Sequence, residues 1–112
     1  MILVTGATGF VGRALCERLN GHDALRIAVR NPVALGWTEQ FDVVQTALDP
    51  AQDWRPALKG IATVVHCAAR VHVMNDDAAD PIREFRRINV DGTLQLARQA
   101  AEAGVKRFVF IS

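Results

Sequence analysis

Apolar residues cluster at the start of the chain and then change rhythm. Met1–Thr5 (MILVT) is a short continuous apolar run, the pattern of a strand buried on both faces of a parallel sheet. Phe10, Val11, Ala14, Leu15 and Leu19 then recur at helical spacing, with Arg13, Glu17 and Arg18 on the other side. Asn20-Gly21 predicts the end of that helix. Leu25–Val29 reads as a second strand, closed by Asn31-Pro32. Val33–Gln40 predicts an irregular or weakly helical connection, and Phe41–Val44 a third strand. Asp53 caps a short helix over Asp53–Leu58. Ile61–Cys67 (IATVVHC) is β-branched and apolar, a fourth strand. Val71–Ala79 is small and polar, as a loop is. Asp80 as N-cap and Pro81 at the first helical position start a helix that runs to Ala103, with Gly104 beyond its end. Lys106–Ile111 (KRFVFI) is a fifth strand.

Strand and helix alternate throughout. That predicts one α/β domain over residues 1–112, a doubly wound parallel sheet with helices on both faces. No repeat, low-complexity stretch or linker divides it. The 112 residues, half of them apolar, suffice for one core. A net charge of +1 with scattered basic residues gives no case for nucleic acid or an anionic membrane. No apolar run is long enough to span a bilayer, and Met1–Val4 lacks the basic start of an export signal, so the cytoplasm is the expected location. Cys16 and Cys67 lie far apart inside apolar stretches, which predicts free core thiols in a reducing compartment. His66 and His72 have no ligand cluster around them and read as core or loop histidines, so no metal site is expected. Asp76, Asp77 and Asp80 read as a solvated loop and an N-cap, Trp37 and Trp54 as packing residues.

Gly6, Gly9 and Gly12 stand three apart between the first strand and the first helix. A parallel strand turning directly into a helix leaves unpaired N–H groups at the helix start, and these, with the helix dipole, attract phosphate. Glycines serve such a turn because it is tight, because a Cβ would block a pyrophosphate, and because helix and strand must sit close. The spacing is G-x-x-G-x-x-G, and its place between strand and amphipathic helix predicts a dinucleotide cradle; a bare structural turn is the alternative. In NAD-binding folds an acidic residue ends the second strand. Here Arg30 stands there, and a guanidinium suits a 2′-phosphate, so NADP is favoured and NAD stays open. In the long helix Phe85, Asn89, Gly92, Leu96 and Ala100 form one stripe, flanked by Ile82 and Ile88, that should face the sheet. Asn89 is then a buried amide that must find partners, either bridging neighbouring strands or fixing the strand-end backbone under the nicotinamide ribose.

The segments TGATGFVGRAL, VVHCAARVHV, INVDGTLQLARQA and RFVFIS, in this order and spacing, resemble the N-terminal half of an extended short-chain dehydrogenase/reductase. Within that superfamily they are most similar to the NAD-dependent epimerase/dehydratase group acting on nucleotide sugars. The resemblance implies a Rossmann-type sheet ordered 3-2-1-4-5 and a pyrophosphate over Gly6, Thr8, Gly9, Phe10 and Val11. It implies Cys67, Ala68 and Ala69 lining the cofactor, and Asn89 in the family's N-V-x-G-T motif. The family usually carries Asp-Leu or Asp-Ile after the third strand, the acid reaching the adenine amino group. Here Ala47 and Leu48 occupy those places, with Asp49 next. The family's Tyr-x-x-x-Lys pair is missing, because the sequence has no tyrosine. The resemblance therefore implies a cofactor-binding portion truncated after the fifth strand. It would hold no catalytic residue and be inactive alone, with UDP-sugar met only by a longer parent. A non-catalytic NADP-sensing module and an NADP-dependent ketone reductase of the same superfamily are the alternative readings. The apolar fifth strand, Phe108–Ile111, leaves an edge that predicts self-association.

Overall fold

The computed structural model describes residues 1–30, 40–67 and 81–111. The connection expected over 33–40 (all but Gln40), the loop expected over 71–79, and Trp37, Ala68, Ala69, His72, Asp76, Asp77 and Asp80 lie outside the described residues. Among the described residues five strands form one parallel sheet: β1 (Ile2–Thr5), β2 (Leu25–Val29), β3 (Asp42–Gln45), β4 (Thr63–His66) and β5 (Arg107–Phe110). Their spatial order is β3-β2-β1-β4-β5, as expected for a Rossmann-type sheet. The helices are α1 (Phe10–Leu19), α2 (Arg55–Leu58), α3 (Pro81–Arg86) and α4 (Gly92–Glu102), with a π-helical turn, Arg87–Asp91, between the last two.

Alternation along each strand sends side chains to two cores. Leu3, Ala28 and Val64 point to one face and pack with Trp54, Ala57, Leu58, Leu96 and Ala100 of the α2 and α4 layer. Val4, Ile27, Val29 and Val65 point to the other and pack with Cys16 of α1. Both faces are covered, which is why the strands are apolar runs rather than alternating ones. Among the described residues Trp54 is the largest fully buried side chain, in keeping with a packing role. Gln99 of α4 ties this layer together by accepting the Trp54 amide on Oε1 at 2.7 Å.

Arg26 pins β2 to its surroundings. Its guanidinium donates to the carboxylate of Asp42 at 2.9 Å and to the carbonyls of Ala57 and Lys59 at 2.9 and 2.7 Å. The last two belong to the end of α2, where carbonyls have no helical partner.

The structure moves three expectations. The buried face of α1 is Gly12 and Cys16, with Leu15 and Leu19 half-buried beside them, whereas Phe10, Val11 and Ala14 are exposed. The close contact made by Gly12 rotates the helix away from its most apolar side. The third strand runs Asp42–Gln45, one residue later than expected, because its register is set by β2, Arg26 facing Asp42. The long helix does not stay α-helical: the π-helical turn interrupts it, and Asn89 within that turn is half-buried rather than buried. Gly92, Leu96 and Ala100 do face the sheet as expected.

Candidate functional site

In a parallel sheet all C-terminal strand ends share one edge. The chain leaves β1 toward β2 on one side, and β4 lies on the other, so the edge has its topological switch point between β1 and β4. Ligands of open α/β sheets bind in the crevice at such a point.

The glycine segment opens there. Gly6 follows β1 with φ of +67°, a left-handed backbone that suits glycine. Its carbonyl accepts the Gly9 amide at 3.0 Å, which closes the turn. Gly9 is the N-cap of α1 in extended conformation and provides no side-chain cap; Arg13 N–H donates to its carbonyl at 2.9 Å. Among the described residues no acceptor is found for the amides of Phe10, Val11 and Gly12. No acidic side chain stands in the first turn of this ten-residue helix. Thr8, Gly9 and Phe10 are exposed, Phe10 at 95%. Unpaired amides at exposed Phe10 and Val11, with that of buried Gly12 behind them, thus stand at the positive end of a helix dipole. That arrangement fits a pyrophosphate. A Cβ placed on Gly12 would come within 2.1 Å of the Gly6 carbonyl oxygen, so the closeness of helix and turn depends on that glycine.

The β4 side of the crevice is built on three polar side chains. Thr5 Oγ1 and His66 Nδ1 lie 2.6 Å apart, and His66 Nε2 and Thr93 Oγ1 lie 2.9 Å apart. The amide of Cys67, the first residue past β4, donates both to the Thr5 carbonyl and to Thr5 Oγ1, each at 3.2 Å. His66 is fully buried between Phe108 and Phe110, and burial holds its imidazole down at about pKa 4. Burial, with neighbouring Cys67 and Glu17 adding, pushes the Cys16 thiol up to about 11; burial also raises Cys67. Both are free thiols, Cys16 buried and Cys67 half-buried.

On the β2 side Arg30 is exposed just past the strand end, and its carbonyl accepts Gln45 Nε2 at 3.4 Å. The turn after β3 is occupied by its own residues. Ala47 N–H donates to Gln52 Oε1 at 2.8 Å. The Leu48 side chain lies under Gly92, where an added Cβ would meet it at 3.1 Å. The Asp49 carboxylate accepts the Ala51 amide at 2.8 Å and lies 3.5 Å from the Arg87 guanidinium, which also pairs with Glu84 at 2.8 Å. Asp49 is therefore committed to holding this turn against the π-helical segment that carries Asn89.

The structure thus gathers Gly6, Thr8, Gly9, Phe10, Val11, Gly12 and Cys67 around the switch point, with Arg30 beyond β2 and Leu48 beside the helix of Asn89. Thr5, Thr93 and Arg87 were not singled out from the sequence. Thr5 had a signal, a hydroxyl closing an otherwise apolar strand, and Thr93 lies one helical turn past Asn89.

Residues 2–112 match the model of the NAD dependent epimerase/dehydratase family. The chain is 43% identical over 113 residues to a UDP-glucose 4-epimerase of Vibrio cholerae, covering 99% of this chain and 34% of that protein. It is 37% identical over 117 residues to a 3 beta-hydroxysteroid dehydrogenase/Delta 5-->4-isomerase of Mycobacterium tuberculosis, covering 99% and 31%. A solved short-chain dehydrogenase/reductase superfamily protein from Agrobacterium tumefaciens, with bound NAD, superposes with a TM-score of 0.78 at 33% identity, over 98% of this chain and 31% of that one. The chain spans about a third of the length of these relatives.

Proposed function

The chain belongs to the NAD-dependent epimerase/dehydratase family, and from that premise we propose that it is the dinucleotide-binding portion of a nucleotide-sugar epimerase, dehydratase or reductase. The observation that carries this reading is the set of unpaired amides at Phe10, Val11 and Gly12, opening at the switch point above Gly6. Gly6, Thr8, Gly9, Phe10, Val11 and Gly12 would hold the pyrophosphate. Leu48 would lie by the adenine, and Cys67, Ala68, Ala69 and Asn89 along the nicotinamide half. Arg30, exposed at the end of β2, would pair with a 2′-phosphate, which favours NADP. The bound NAD of the Agrobacterium tumefaciens relative keeps NAD as the competing cofactor. When bound, such a dinucleotide supplies hydride transfer at C4 of its nicotinamide. The chain's own part is to hold and orient it, and the sequence contains no tyrosine for the proton transfer that accompanies hydride transfer in this family.

A UDP-sugar is the substrate class of the whole protein, supported by the 43% identity to the Vibrio cholerae enzyme. A second reading, reduction or oxidation at a steroid-type or flavonoid-type ketone, is supported by the 37% identity to the Mycobacterium tuberculosis enzyme. The cytoplasm is the proposed location; no helix among the described residues is long and apolar enough to cross a membrane.

Titration of NAD and NADP into the chain, with Arg30→Glu beside it, tests the reading. NADP should bind more tightly than NAD, and the variant should lose that preference. Absence of binding by either nucleotide at millimolar concentration would overturn the proposal. Mixed with NADPH and a UDP-4-ketohexose, the chain should give no oxidation above background.

A further inference from the structure

Four polar groups from separate parts of the fold meet at the end of β4: Thr5 at the end of β1, His66, the amide of Cys67, and Thr93 in the first turn of α4. Hydrogen-bond chemistry constrains how they are ordered. An amide only donates, so Thr5 Oγ1 accepts from Cys67. Each ring nitrogen of His66 then faces one hydroxyl, Nδ1 that of Thr5 and Nε2 that of Thr93. A hydroxyl both donates and accepts, so a neutral imidazole satisfies both contacts, donating through one nitrogen and accepting through the other.

We infer that His66 is a positioning residue: as a neutral imidazole hydrogen-bonded at both nitrogens it locks the β1 and β4 ends to α4, and so fixes the backbone of Gly6 and Cys67 on either side of the switch point. The dinucleotide part of this inference rests on the function proposed above; the lock itself does not. His66 has 0% exposure and touches no substrate-accessible space, so its effect on a ligand passes through Thr5 and the Cys67 amide. Among the described residues the groups facing it are the hydroxyls of Thr5 and Thr93 and the rings of Phe108 and Phe110. None of these is charged, and the adjacent Cys67 thiol is neutral at ordinary pH, its pKa raised by burial. Among the described residues the imidazole is thus held by hydroxyls, with no carboxylate facing it to balance the charge of a protonated ring.

The test uses the 112-residue chain labelled with 15N-histidine. Long-range 1H–15N spectra at pH 7 should show His66 neutral and in a single tautomer, as a ring held at both nitrogens is; a protonated ring or an exchanging mixture of the two tautomers would overturn the inference. The Cys67 amide is shared between the Thr5 carbonyl and the Thr5 hydroxyl, both at 3.2 Å, so its exchange should accelerate roughly twofold in Thr5→Val, which removes one of the two acceptors, and return to the wild-type rate in Thr5→Ser, which restores it. Equal exchange in the two variants would overturn it as well. NADP affinity should follow the same order, weaker in Thr5→Val and recovered in Thr5→Ser. If the unmodified chain binds neither nucleotide, the proposed function fails, while tautomer and amide exchange still decide the lock. Should Thr5→Val fail to fold, the tautomer in the unmodified chain decides the lock.

Discussion

The Gly6 carbonyl oxygen stands 2.1 Å from where a side chain at Gly12 would begin, with the Gly6 carbonyl carbon at 2.7 Å and the Ala7 Cα at 3.0 Å. All three are backbone atoms of the turn that opens α1, so none can swing aside as a side chain would. Gly12→Ala should therefore push α1 from the sheet and cost on the order of 3 kcal/mol in chemical denaturation. Gly9→Ala differs in kind. Its Cβ would meet Gly6 O at 3.3 Å, a contact that a small adjustment relieves, and Gly9 has an ordinary negative φ. That variant should fold within about 1 kcal/mol of wild type and still bind nucleotide worse, since the methyl stands at the exposed helix mouth. Denaturation and nucleotide titration of both variants separate packing from ligand approach.

Acid should weaken the fold through His66. Its imidazole is held at about 4 by burial, against 6.5 when free. Between these values the unfolded chain binds the proton and the folded chain does not, so stability rises with pH across the window. The contribution is fully present above pH 6.5 and is lost as pH falls toward 4, amounting to roughly 3 kcal/mol across that span. Denaturation midpoints should fall over this range in wild type and fall less in His66→Gln, measured relative to its own neutral-pH value.

Arg26 is 16% exposed at its side chain and joins three groups, the Asp42 carboxylate and the carbonyls of Ala57 and Lys59. Arg26→Ala should cost about 2 kcal/mol, because it strands two carbonyls at the end of α2 and removes charge-assisted hydrogen bonds. Arg26→Lys should recover less than half of that loss, since one ammonium does not reproduce the planar fork. Thermal unfolding of the two variants provides the comparison.

β5 pairs only with β4 among the described residues and leaves Val109, Phe110 and Ile111 exposed at 42%, 56% and 40%. An apolar strand with an unpaired edge is a template for further pairing. Sedimentation at rising concentration should show growing mass, and Val109→Lys should reduce it, while a monomer at every concentration would count against this.

Alternating strand and helix patterns predicted the parallel doubly wound sheet, and the resemblance gave the observed order 3-2-1-4-5. The glycine spacing located the turn with unpaired amides. These features depend on neighbours in the chain, because capping, turn conformation and strand burial act over a few residues. Partners 61 and 27 residues away on either side of His66 became visible only when the sheet brought β1, β4 and α4 together. The buried face of α1 followed tertiary contact too. Periodicity marked its apolar side, but the approach of Gly12 to Gly6 set the rotation and left Phe10 in solvent. The π-helical turn at Arg87–Asp91 breaks the regular helical period, and it carries Arg87 to within 3.5 Å of Asp49, a partner 38 residues away in the sequence. Local chemistry fixed where the chain bends and which segments are apolar; the distance between backbones decided which side chains meet.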